Sequence, residues 1–103
     1  MKKGTFRIKK KTVNGGWIWE EREGFYGEVF GIFKEGEVGY SVTHLKTGLR
    51  LSLFDYLRQA RHFVKRIEEI EDWPVPWNSS TNGKDYVPNA DRALAIRDES
   101  RML

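Results

Sequence analysis

Two histidines, His44 and His62, and a set of glutamates are the residues here whose types suit metal or proton chemistry. Neither histidine has a second ligand at the spacing metal sites use, and the chain has no cysteine to assist. Helical projection puts His62 on a polar face, where a histidine is simply solvated. Glu20, Glu21, Glu23, Glu28, Glu35 and Glu37 supply carboxylates, but a general acid–base pair needs one member in surroundings that raise its pKa. No residue pattern marks such surroundings. Glu28, between aromatic neighbours, suits a cross-strand salt bridge better than catalysis. No Ser, His and Asp combination carries the sharp turn that exposes a nucleophile. No glycine pattern follows a strand and opens a helix, which removes phosphate loops and dinucleotide folds. Without cysteine, disulfides, thiolate catalysis and iron–sulfur clusters go as well. The expectation is a non-enzymatic protein with no catalytic residues, no metal and no cofactor.

Binding chemistry is better represented. Arg7, Lys9, Lys10 and Lys11, with Lys2 and Lys3 upstream, lie along one predicted strand. Trp17 and Trp19 follow across an Asn14-Gly15-Gly16 turn. Cations beside exposed rings suit single-stranded nucleic acid, because bases stack on aromatics for about 1–3 kcal/mol each while lysines neutralise phosphates. The bland alternative buries both tryptophans and uses the lysines to keep an edge strand soluble. A second basic group, Arg58, Arg61 and Lys65 with His62 and Arg66, lies opposite the apolar arc of a predicted helix. Glu68, Glu69, Glu71 and Asp72 then crowd its C-terminal end, where the helix dipole disfavours them. Either this is a solvated face, with Lys65 pairing to Glu68 and Glu69, or it is a bipolar contact surface.

The functional expectation is a nucleic-acid-binding module that favours single strands and uses Arg7, Lys9, Lys10, Lys11, Trp17, Trp19, Arg58, Arg61 and Lys65. The alternative is a small protein-binding adaptor or inhibitor, such as a phage or mobile-element protein acting on a host protein. Its anchors would be Phe25, Val29 and Phe33, or Trp73 and Trp77, since aromatics concentrate at interface centres. Trp73 and Trp77 have the competing option of folding back to close the core.

Composition bounds both readings. At 103 residues, with 39% hydrophobic and 32% charged residues, the chain suits one globular domain. A net charge of +3 and a pI near 9.3 permit an anionic partner without requiring one. Met1-Lys2-Lys3-Gly4 begins like a signal peptide, yet no apolar stretch follows, and nothing reads as a membrane span. A cytoplasmic protein with no membrane partner is expected.

Positioning these residues requires a sheet and a helix. Period-two alternation from Thr5 to Leu53, broken by turn residues, predicts an antiparallel meander of four to five strands. The predicted strands are Thr5–Val13, Trp17–Arg22, Phe25–Lys34, Glu37–His44 and Leu49–Leu53. The third has apolar residues on both faces, as a central strand covered twice would have, and its Gly27 and Gly31 suggest a bulge or a close backbone approach. At Ser52 the period changes. Ser52 to Asp55 can cap a helix whose face is Tyr56, Leu57, Ala60, Phe63, Val64, Ile67 and Ile70, ending near Asp72 before Pro74. Trp73 to Trp77 should be extended, Asn78 to Asp85 polar, and Ala90 to Arg101 a short second helix with a thin apolar face. The fold class is therefore α+β, with residues 1–72 as the sheet-plus-helix domain. Residues 73–103 either belong to it or form an appendage.

Gly48-Leu49-Arg50-Leu51-Ser52-Leu53, entering a helix after a four-strand meander, resembles the strand–helix junction of a family of single-stranded-DNA-binding transcriptional coactivators. The resemblance covers little more than that junction. It implies DNA on the sheet and a homodimer formed through the helix.

Overall fold

The alternating half of the chain forms one antiparallel sheet in the order β1-β2-β3-β4-β5. The computed structural model describes residues 1–69 and 90–103. Its strands are β1 (Lys2–Lys11), β2 (Trp17–Tyr26), β3 (Phe30–Glu35), β4 (Gly39–His44) and β5 (Leu49–Phe54). Two helices follow, α1 (Leu57–Glu68) and α2 (Ala90–Arg101). The α+β meander predicted from the alternation is the fold observed. The segment from Trp73 to Trp77, the polar stretch after it and the predicted cap Asn89 lie outside the described residues.

Alternation decides which side of the sheet each strand residue serves. Phe30 and Ile32 of β3, Val42 of β4 and Phe54 of β5 face α1, where they meet Ala60, Phe63, Val64 and Ile67. Each large apolar side chain buried this way contributes about 1.5–3 kcal/mol. On the reverse face Phe6 and Ile8 of β1 pack with Phe33, flanked by Tyr26 and Leu45. The sheet curls far enough that the Lys9 N–H donates to the Gly48 carbonyl at 2.8 Å, bringing β1 to the turn between β4 and β5.

The third strand is shorter than predicted. Phe25 and Tyr26 finish β2, and the Gly27 N–H donates to the Phe30 carbonyl at 2.9 Å to close a turn before β3 starts. Within β3 the two-faced pattern holds: Phe30 and Ile32 serve the helix side, Gly31 and Phe33 the other. Gly31 is a close approach, because a Cβ there would sit 2.8 Å from the Phe6 ring.

The helix also starts later than its polar residues suggested. Phe54 is the last residue of β5 and buried, so Ser52 and Asp55 do not cap. Tyr56 holds the N-cap position in an extended conformation, and Gln59 Oε1 accepts its N–H at 3.1 Å. Burial of Phe54 against Phe63, with ring centroids 5.2 Å apart, outweighs any capping preference of Ser52. At its other end α1 stops at Glu68, short of Asp72. The thin face of α2 is enough to dock: Ala93 and Ile96 join the main core, and Ser100 donates to the Ile96 carbonyl at 2.7 Å. Among the described residues no helix is long and apolar enough to cross a membrane.

Candidate nucleic-acid interface

The β1–β2 hairpin carries the lysines and tryptophans, and its register sets them face to face. Lys9 lies opposite Trp19 and Lys11 opposite Trp17. All four take the same alternation, which is not that of Phe6 and Ile8. Both rings stay outside the two core clusters, 53% exposed for Trp17 and 46% for Trp19. The Lys9 ammonium lies 5.4 Å from the Trp19 ring centroid, within cation–π range. Lys10 and the exposed Ile18 pair on the opposite face, and Val13 stands in solvent near the tip. Lys9, Lys11 and the two half-exposed rings thus share one face of the arm.

The β4–β5 turn braces the arm. The Gly48 N–H donates to the His44 carbonyl at 2.7 Å, while His44 Nδ1 and Thr47 Oγ1 are 2.9 Å apart. Gly48 has φ +73°, and a Cβ there would meet Trp19 Cζ3 at 2.6 Å and the Lys9 nitrogen at 2.7 Å. Only glycine lets the arm settle on this turn. His44 is buried, with its ring centroid 6.0 Å from that of Phe30. Burial lowers its pKa below the ordinary histidine value, and the Lys46 charge adds to the effect.

Between β1 and the β4–β5 side the curled sheet leaves a cleft of about 270 Å³. Ile8, Phe33 and Leu49 supply apolar wall and Lys10 and Arg50 positive charge, while Lys9, Lys11 and Trp17 border the cleft from positions that alternate to the outer face. Glu35 shares the wall and accepts from Arg50 Nη1 at 3.1 Å. Ser41 and Thr43 are the buried polar residues of the lining, and Ser41 Oγ has no hydrogen-bond partner among the described residues.

The other predicted residues are arranged less simply. Arg7 is exposed opposite Glu21, and Glu23 follows two residues further along β2. These carboxylates separate the Trp17–Trp19 surface from Phe25, where the Arg61 guanidinium stacks 4.6 Å from the ring centroid. Arg58 stacks on Tyr56 at 4.4 Å and donates to the Leu103 carbonyl at 3.3 Å. Lys65 is exposed on α1. Part of the helix's basic face is taken by α2: Glu99 accepts from Arg66 at 2.6 Å and lies 3.0 Å from His62 Nε2. Those two side chains hold the Glu99 carboxyl below the usual range, His62 first and Arg66 second. The flank of α1 that bears His62 and Arg66 thus carries α2. The two basic groups are not one continuous stripe.

Phe25, Val29 and Phe33 do not come together as an anchor. Phe25 ends β2 under Arg61, Val29 packs against the main core, and Phe33 is buried on the reverse face with Arg22 over its ring at 5.7 Å. Trp73 and Trp77 lie outside the described residues. Sequence reasoning missed Arg50, Glu35, Ser41 and Thr43. Alternation alone points Arg50 away from Leu49 and Leu51. Only the curl of the sheet reveals that this direction leads back to β1. Among the described residues no group of three His, Asp or Glu side chains is placed to hold a metal ion. No family model, curated protein or solved structure matches this chain.

Proposed function

We propose that this protein is a non-enzymatic module that binds single-stranded nucleic acid through the outer face of the β1–β2 arm. The observation that carries this reading is the register: two half-exposed tryptophans, each directly opposite a lysine. Bases of a single strand expose their ring faces and stack on such side chains, and lysines at strand spacing meet the phosphates between them. A duplex buries the ring faces of its bases, so it gains only the phosphate contacts. Lys10 and Arg50 add positive charge on the cleft side of the arm. Arg58, Arg61 and Lys65 extend the field only at a distance, since Glu21 and Glu23 interrupt the path along β2. Among the described residues Phe25, Val29 and Phe33 form no joint anchor for the protein-binding alternative, and Trp73 and Trp77 lie outside them.

The test is equilibrium binding of fluorescent single- and double-stranded oligonucleotides at several salt concentrations. The single strand should bind more tightly, with affinity falling as salt rises. Replacing Lys9, Lys10 and Lys11 together by Ala should lower the salt slope by about 2, at roughly 0.7 for each phosphate that is no longer neutralised. Absence of binding at low salt refutes the proposal.

A further inference from the structure

Resting on that reading, we infer that the cleft between β1 and the β4–β5 side is a pocket for one unstacked nucleobase of the bound strand. Its volume, about 270 Å³, falls just below the roughly 300–1,000 Å³ of pockets that hold drug-sized ligands. A single planar ring system fits that space better than an extended cofactor. The walls are chemically divided as a nucleotide is divided. Ile8, Phe33 and Leu49 offer apolar surface to a ring. Lys10 and Arg50 offer charge to the sugar-phosphate on the cleft side of the arm.

Of the two buried hydroxyls without a partner among the described residues, Ser41 and Ser52, Ser41 is the one that lines the cleft. Its side chain is fully buried, it belongs to the cleft lining, and its hydroxyl has no partner among the described residues. Buried hydroxyls are nearly always paired, and an orphan one calls for an explanation. A base edge that parts the walls enough to uncover this hydroxyl supplies the missing donor or acceptor. Glu35, held by Arg50 at 3.1 Å, sets a donor and an acceptor side by side on the same wall. Base edges carry the complementary pattern. The cleft thus gives the arm what stacking alone lacks: a position at which one base is enclosed rather than merely covered.

The experiment is displacement of a fluorescent single-stranded decamer by small competitors, using the full chain. Each of the four nucleoside 5′-monophosphates is compared with deoxyribose 5-phosphate, which keeps the charge and lacks the base. The inference predicts that at least one nucleotide displaces the decamer at a concentration where the sugar phosphate does not. A Leu49→Trp variant, which fills the cleft, should abolish that displacement and weaken decamer binding about tenfold, near the value of one stacked base. Its salt slope should stay that of the unaltered protein. If nucleotides and sugar phosphate compete equally, or Leu49→Trp changes nothing, the pocket is overturned while binding on the arm stands. If the decamer does not bind at all, both readings fall. The competitor comparison needs no variant, so misfolding of Leu49→Trp leaves the inference decidable.

Discussion

The two ends of the sheet are built to different rules. Around β3, β4 and β5, both helices and the strand residues facing them form a closed core of Phe30, Ile32, Val42, Phe54, Phe63 and Ile67. In the outer half of the β1–β2 arm, Val13, Trp17, Ile18 and Trp19 are exposed, and the strands are held by backbone pairing from Lys2–Tyr26 to Lys11–Trp17. Folding uses the aromatics of the first region. The second keeps its aromatics available, and the Lys9–Gly48 hydrogen bond joins its flank to the body. Half-exposed rings outside both core clusters are a poor way to stabilise a fold. They are a good way to present a contact surface.

Substitutions should separate the regions sharply. Phe63→Ala removes a fully buried ring from the core and should cost about 3–5 kcal/mol by urea unfolding. That is a large fraction of the roughly 5–15 kcal/mol available to a small domain. Gly48→Ala combines a positive φ with contact against Trp19 and Lys9, and should cost about 1–3 kcal/mol. A Gly48→Ala protein of unchanged stability would show that the brace between arm and body is not real.

A pH titration tests the same brace more gently. The unfolded chain takes up a proton on His44 near the ordinary value of 6.5, whereas the folded chain resists it to lower pH because the ring is buried. Below that ordinary value the unfolded state binds more protons, so stability is full above it and declines as pH falls through it toward the lowered value of the folded chain. His44→Gln should flatten this part of the profile. A slope unchanged in the variant would assign the titration to another group.

How much of this the sequence discloses depends on the range of the signal. Alternation is local and strong, so the meander and the buried face of α1 follow from Val42, Phe63, Val64 and Ile67 alone. Boundaries fail where tertiary packing overrides local preference. Phe54 stays in the strand because Phe63 receives it, although Ser52 and Asp55 both suit a helix start. Phe25 and Phe33 share one phase of the alternation and look like one strand face, but the turn at Gly27 puts them on different strands and opposite sides. The pairing of lysines with tryptophans is legible because the Asn14-Gly15-Gly16 turn fixes the hairpin. The cleft is not, since it arises only when the curl brings Lys9 to Gly48 and so sets Arg50 and Ser41 beside β1. Likewise no local signal foretells that α2 will occupy His62 and Arg66 through Glu99.

The contrast between a packed body and a presented arm is tested most directly by the double variant Trp17→Ala, Trp19→Ala, with unfolding and binding measured on the same preparation. The account predicts a smaller loss of stability than that of Phe63→Ala, because both rings already keep about half of their surface in water and their removal leaves no cavity in the core. Affinity for a single-stranded oligonucleotide should fall at least about tenfold, because two stacking platforms are gone. A protein that unfolds as easily as Phe63→Ala, or that binds as before, would contradict it.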